Sequence, residues 1–477
     1  MKHSSFSNSS ENRISLFQKI GLRLANWTEK WFPDALVFAF LGVFIVFVLG
    51  LILKESPRQL IMAGGKGFWS LVPFTMQMMM VIVGGYVFAT APLIHQMIER
   101  VAAFPKRPRS AIVTIAFFSM LSSLLSWGFS LIFSALLVRA MARKIKGLDY
   151  RAAGAAAYLG LGAIWALGLS SSAALMMSSA SSIPPELLQV SGVLPLSQTL
   201  FLWQNGVMVL ALFLLSLLIA YFSAPQEIDA KTAQDFKIDL SIESNASTLP
   251  TLRRRPGEFL EHHPLPNIMM AALLGTYLIY TFKNSPQSVL SALDLNTYNL
   301  IFLTLGLLLH RTPYRFLKAV QSAVPATGSV LIQFPFYGMI FGMIVNTRIS
   351  HWLSEAFVQL TTSHTYSLWV AFYSALLGVF IPSGGSKWII EAPYILQAAN
   401  LHQVHLGWVV QIYNAAEALP NLINPFWMLP LLAILGLKAK DIVGFCFLQM
   451  VLHIPLVFFL CWYFAEKMTY AAPVMVH

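Results

Sequence analysis

The feature that most limits this chain is ALVFAFLGVFIVFVLGLIL at positions 35–53, a stretch without charge or strong polar group that recurs in weaker form along the sequence. Roughly 20 apolar residues span the hydrocarbon of a bilayer as one helix, and there each backbone amide must be bonded within its own element. The chain therefore reads as an all-α polytopic membrane protein. Expected spans are 35–53, 68–93, 152–168, 200–222, 267–282, 296–310, 324–346, 407–424 and 442–464, with re-entrant helical hairpins at 111–142 and 366–400. Residues 1–34 form a tail and an interfacial amphipathic helix, 35–222 a first transmembrane repeat, 223–266 a polar linker, 267–464 a second repeat and 465–477 a tail.

Composition supports this class: 57% of residues are hydrophobic and 11% charged, against roughly a quarter charged in ordinary globular chains. A net charge of +11 would suggest nucleic acid in a soluble protein. Here the cations lie in loops, with no basic-aromatic face on a soluble domain, and a nucleic-acid partner is excluded. With the N-terminus inside, 24 of the 31 Lys and Arg fall in cytoplasmic segments and six in outside ones. That bias orients the chain in an inner membrane and makes the first hairpin open inward and the second outward. Cys446 and Cys461 have no metal-ligand spacing. No cofactor, metal site or catalytic constellation is expected. His95, His310, His351, His402 and His405 read as interfacial, His453 as a packed mid-span residue, and Glu99 and Arg100 as solvated.

The two halves run in the same order. VPFTMQMMM (72–80), a hairpin broken at SWGFS (126–130) and a helix ending in WALGLSSSAALMMSSA (165–180) are followed by QFPFYGMI (333–340), a hairpin broken at PSGGSKW (382–388) and a helix ending in NAAEALPNLINPFW (414–427). Paired, interrupted segments inserted with opposite topology mark the ligand site of a transporter, because irregular backbone at membrane depth survives where protein, water or ligand satisfies it. Pro382 stops the incoming helix, Gly384 and Gly385 permit a tight turn, and Ser383 or Ser386 caps the next helix, leaving its first amides open to a carboxylate. Lys387 either attracts that anion or neutralises Glu391 four residues on. Glu417, with Asn421 and Asn424 on one side of its helix, can bind Na⁺ through oxygens or carry a proton. Ser126, Trp127, Gly128, Ser170 and Ser172 supply the matching surface of the first half.

At these residues the chain resembles the short-chain fatty acid transporter family, bacterial permeases for acetoacetate and butyrate, themselves similar to a wider ion-transporter superfamily. The resemblance rests on WFPDALVFAFLGVF (31–44), GFWSLVPFTMQM (67–78), SWGFSLIFSALLVRAMARKI (126–145), GLLLHRTP (306–313), QFPFYGMI (333–340), PSGGSKWIIEAPYI (382–395) and NPFWMLPLLAILGLKAKDIVGFC (424–446). It implies a scaffold and a transport domain in each protomer of a homodimer, two opposed hairpins meeting at the substrate, and import of a small monocarboxylate coupled to H⁺ or Na⁺. Trp127, Gly128, Ser170, Ser172, Pro382 to Gly385, Trp388, Glu417 and Asn421 match the family pattern by position. Where that pattern has an imidazole and an amide, this chain has Lys387 and Glu391, which makes a larger or more charged carboxylate, or an amino acid, the alternative substrate. A passive anion channel is a further alternative.

Overall fold

The computed structural model describes residues 30, 35–225, 229–240, 256–284, 292–381 and 384–473. These residues form helices and connecting turns, with no strand among them. Six helices are long and apolar enough to cross a membrane, or seven if one pair bent by 74° is a single span. The first half contains α1 (Ala35–Ile52), α2 (Pro57–Ser70), α3 (Val72–Ala89), α4 (Pro92–Val101), α5 (Pro108–Leu125), α6 (Trp127–Lys144), α7 (Tyr150–Leu159), α8 (Ser172–Met177), α9 (Pro185–Ser191) and α10 (Trp203–Ser223). Then come α11 (Pro256–His262), α12 (Leu265–Lys283), α13 (Leu295–His310), α14 (Pro313–Ala323), α15 (Gly328–Val345), α16 (Ile349–Leu360), α17 (Tyr366–Phe380), α18 (Gly384–His402), α19 (Leu406–Asn421), α20 (Pro425–Leu435) and α21 (Ala439–Ala465).

Residues 54–67, expected as an outside loop, contain most of α2. The Ser56 hydroxyl accepts from the Gln59 amide at 3.1 Å and Pro57 opens the helix, a normal start signal. The glycines of AGGKGF look like breakers, but Gly67 serves a close crossing, while Gly65 faces open space. A Cβ on Gly67 would stand 2.1 Å from the Gly338 carbonyl oxygen and 2.7 Å from Gly342 Cα, so α2 and α15 touch backbone to backbone. α1 also packs on α15, while α13 packs on α3 and α12. Outside the spans, Glu55 accepts from the Arg348 amide at 3.0 Å and from its guanidinium at 2.9 Å, and these bonds hold its carboxyl below the usual carboxylate range.

A second group of helices packs around two breaks. α5 and α6 lie along each other and are joined by one extended residue, Ser126. α7 starts at Asp149, whose carboxylate accepts from the Arg151 and Ala152 amides. It widens into a π turn at Gly160–Ile164, tightens into a 3₁₀ turn at Trp165–Leu167, unwinds over 168–171 and resumes as α8. Ser119 holds the widened turn, donating to the Ala157 carbonyl at 2.6 Å and accepting from the Gly160 amide at 3.0 Å. In the other half α17 packs along α19 as α5 packs along α7. α19 ends with Pro420 inside its last turn and restarts after 422–424 as α20. The two broken helices meet where the Tyr158 hydroxyl donates to the Asn421 carbonyl at 2.7 Å.

Two expected surface groups sit differently, and Glu99 stays partly exposed while gaining ion-pair partners. His310 is buried and its Nε2 lies 2.7 Å from the Val87 carbonyl oxygen, because α13 packs on α3 there. Glu99 ends the amphipathic α4 and pairs with Arg143 at 2.8 Å and Lys144 at 2.7 Å on α6. Linker residues 229–240 run across the end of the first hairpin, with the Asp239 and Leu240 carbonyls accepting from Arg139 at 3.0 Å and Arg143 at 3.3 Å. Cys446 and Cys461 are buried, and His453 is buried with Nε2 3.0 Å from the Ser216 hydroxyl.

Candidate functional site

The first turn of α18 enters a space only glycine fits. A Cβ on Gly384 would come within 2.5 Å of Trp165 Cη2 and 3.2 Å of Glu417 Oε2, and one on Gly385 within 3.2 Å of Phe74 Cζ and of Ser172 Cβ. α3, the Trp165 turn, α8 and α19 thus converge on this helix start, and the Tyr413 hydroxyl donates to the Gly384 carbonyl at 2.5 Å. Pro382 and Ser383 lie outside the described residues. Ser386 is buried as the third residue of α18, so it is not the N-cap; the helix begins two residues earlier because Gly384 and Gly385 adopt helical geometry.

One turn deeper, three charged side chains are shut off from solvent: Lys387 and Glu391 are 0% exposed and Glu417 is 1% exposed. Lys387 Nζ lies 3.7 Å from Glu391 Oε1, donates to the Ser374 carbonyl at 2.6 Å and stands 4.6 Å from the Tyr413 ring centre. The Ser374 hydroxyl donates to Glu391 Oε2 at 2.5 Å. Lys387 Nζ and the Glu417 carbonyl oxygen both face Gly378, 3.4 Å and 3.8 Å from where a Cβ would be. Glu417 Oε1 accepts from Asn421 Nδ2 at 3.4 Å, whereas Glu417 Oε2 and Asn421 Oδ1 are buried without a hydrogen-bond partner. The same holds for three buried donors nearby, Trp165 Nε1, Trp388 Nε1 and Gln411 Nε2. An unpaired buried polar atom costs about 1–3 kcal/mol. Such a cluster of donors and acceptors is therefore suited to receiving a ligand with both kinds of atom.

The first half reaches this cluster through neutral groups. The Ser171 hydroxyl donates to Asn414 Oδ1 at 3.0 Å, and Asn414 Nδ2 donates to Gln411 Oε1 at 3.3 Å, a polar line from the unwound segment into α19. Ser172 touches Gly385, as noted. Ser170 turns away and donates to the Ser123 carbonyl, tying the unwound segment to the first hairpin. Ser126 caps α6 by accepting from the Phe129 amide at 3.3 Å, and its hydroxyl fills the space beside Gly85. Trp127 packs edge-on against Trp427 at 5.5 Å, while Gly128 has its nearest non-local atom, the Ile82 carbonyl oxygen, 3.8 Å from a Cβ position. Asn424 is half-buried in the break after α19. The described structure brings Ser172, Gly384, Gly385, Lys387, Glu391, Glu417 and Asn421 together, and places Ser126, Trp127, Gly128 and Ser170 around the first tip.

Tyr413, Gln411 and Ser374 were absent from the sequence expectations. Tyr413 stands four residues before Glu417, on the same helical face, a spacing that would have found it. Ser374 carries no local signal, since YSALLG resembles any lipid-facing run.

A sequence profile of the family described as short chain fatty acid transporter matches residues 16–465. The chain belongs to the short-chain fatty acid transporter family. It is 31% identical over 435 residues to a putative short-chain fatty acid transporter of Escherichia coli (strain K12), covering 91% of this chain and 95% of that one. It is 30% identical over 453 residues to a putative short-chain fatty acid transporter of Haemophilus influenzae, covering 92% and 98%. In fold it is similar to the Alcanivorax borkumensis YdaH transporter, with a TM-score of 0.56 at 14% identity over 94% of this chain and 98% of that one. Neisseria gonorrhoeae MtrF, from a class of antimetabolite efflux pumps, gives 0.51 at 13% identity over 94% and 97%.

Proposed function

We propose that this chain is a secondary active carrier that imports short-chain carboxylates, of the acetoacetate and butyrate kind, across the bacterial inner membrane, coupled to H⁺ or Na⁺. The observation that carries the reading is the meeting of broken elements from both halves at the start of α18. There a buried ammonium, two carboxylates and unpartnered donors lie between glycine-lined helix ends. The carboxylate end of a substrate would take the indole and amide donors and the α18 amides, and its short chain would lie against Phe74 and Trp165. Ser172 and Ser383 to Lys387 are the proposed substrate side, Ser126, Trp127, Gly128 and Ser170 the tip that backs it, and Glu391, Glu417, Asn421 and Asn424 the proposed ion side.

The matching order of packing in the two halves supports an inverted repeat, and the cation bias of the loops supports a cytoplasmic N-terminus. In this reading α5–α10 and α17–α21 move as a unit past α1–α3 and α12–α15, exposing the site to each side in turn, within a homodimer. The test is uptake of labelled butyrate and acetoacetate into proteoliposomes under separate pH and Na⁺ gradients, with protein-free liposomes subtracted. Saturable, gradient-driven uptake is expected; no saturable uptake of either compound overturns the reading.

A further inference from the structure

Resting on that carrier reading, we infer that Lys387 is a resident cation of the site, that transport needs no Na⁺, and that one proton, carried by Glu417, accompanies each monocarboxylate. The ammonium of Lys387 is held as a bound metal cation would be, by the Ser374 carbonyl oxygen at 2.6 Å, the Glu391 carboxylate at 3.7 Å and the face of Tyr413 at 4.6 Å. A cation tied to the backbone cannot leave with the cargo, and a Na⁺ placed among the same carboxylates would face a like charge at short range. The positive charge that an anion needs beside it at membrane depth is therefore already present.

Charge counting then selects the proton. Glu391 Oε1 and Glu417 Oε2 are both buried without a hydrogen bond, but Glu391 Oε1 has the Lys387 ammonium at 3.7 Å, so Lys387 balances Glu391, while Glu417 Oε2 faces the helix start at Gly384. The other titratable groups around the pair are Tyr373 from α17, Tyr394 from α18, Tyr413 from α19, Tyr158 from α7 and, beyond Tyr158, Cys446 from α21. With these hydroxyls and the thiol protonated, and the lysine and both carboxylates ionised, the empty cluster carries one net negative charge. A monocarboxylate entering alone would make two, which a low-dielectric site disfavours. A proton taken from the entry side onto the Glu417 carboxylate returns the filled cluster to one negative charge, equal to the empty one. On the far side the anion and the proton leave together to water and the carboxylate is restored. Net movement is one H⁺ with one anion, without current.

The experiment measures butyrate and acetoacetate uptake in proteoliposomes of the whole protein, with protein-free liposomes subtracted. An inside-alkaline pH gradient should drive uptake, replacement of Na⁺ by K⁺ on both sides should leave the rate unchanged, and a valinomycin-imposed potential should leave it unchanged too. Lys387→Ala should create a Na⁺ requirement, with Na⁺ raising its uptake at least tenfold. Wild-type uptake that requires Na⁺ or responds to the potential overturns the inference, as does a folded Lys387→Ala that Na⁺ does not rescue. Those outcomes leave the carrier reading standing, because saturable carboxylate uptake is still observed; loss of all saturable uptake in the wild type would instead strike that reading. The wild-type arms decide the matter whether or not the variant folds.

Discussion

The two breaks hold similar places in the chain and are satisfied in opposite ways. Around the first, neutral groups close on one another: Ser170 on the Ser123 carbonyl, Ser130 on the Ser119 carbonyl at 2.7 Å, and the Tyr298 hydroxyl on the Leu125 carbonyl at 2.6 Å. Around the second, a lysine and two glutamates are enclosed with several donors and acceptors that have no partner. The first hairpin keeps its ionic contacts at the membrane surface, Arg143 and Lys144 with Glu99. Buried neutral hydrogen bonds fix a shape, whereas buried charge is costly unless function retains it. The comparison teaches that the first break is mainly architecture, whereas the second encloses the charge and the polar atoms left without partners.

The strongest attack on this contrast is Glu391→Gln. It leaves the Lys387 charge without its ion-pair partner, which costs about 3–5 kcal/mol, read as a fall in the thermal unfolding midpoint in detergent. Adding Lys387→Met should recover most of the loss; a single variant as stable as wild type would show that no charge pair is buried there. Next come the glycines of the two tips. Gly384→Ala drives a methyl into Trp165 and should cost about 1–3 kcal/mol. Gly128→Ala has room and should gain about 0.4–1 kcal/mol by restricting the unfolded chain. Equal effects would erase the difference between the tips.

Lys387→Gln should raise the half-saturation constant for butyrate about tenfold, since a charge facing the anion is lost. Ser170→Ala should cost about 1 kcal/mol of stability for one neutral hydrogen bond and leave that constant unchanged. A Ser170 effect on substrate as large as that of Lys387 would break the comparison. The smallest expected effect lies at Glu99, whose carboxyl the Lys144 ammonium and the Arg143 guanidinium hold below its usual range. The tie between α4 and α6 is then fully present above the ordinary carboxylate value and is lost as pH falls through the lowered one. As an exposed pair it contributes under about 1 kcal/mol, so Glu99→Gln should flatten a small acid-side loss of stability.

Much of the bundle was readable because a lipid-spanning helix needs an unbroken apolar run, and such runs leave their length in the sequence. The glycine-rich second half of α2 was misjudged for a related reason: AGGKGF has a loop's composition, and only the approach of Gly338 and Gly342 to Gly67 shows why glycine is needed in a helix. The pairing of Lys387 with Glu391 was visible as a four-residue spacing. That Ser374 completes it, 13 residues before Lys387, was not.

By itself the sequence determined that the chain is a helical membrane protein with two interrupted segments and ionisable groups where hydrocarbon should exclude them. Those conclusions follow from local rules: apolar length, backbone breakers and the cost of a charge. That Glu417 joins the Lys387–Glu391 pair was decided by tertiary structure alone. Glu417 is 30 residues from Lys387, and Trp165 lies in the other half of the chain, yet α17, α19 and the unwound end of α7 close around one helix start and leave Glu417 Oε2 buried with no partner. Electrostatics depends on distance in space, and spacing along the chain encodes that distance only within one helix, as for Lys387 and Glu391, not between helices.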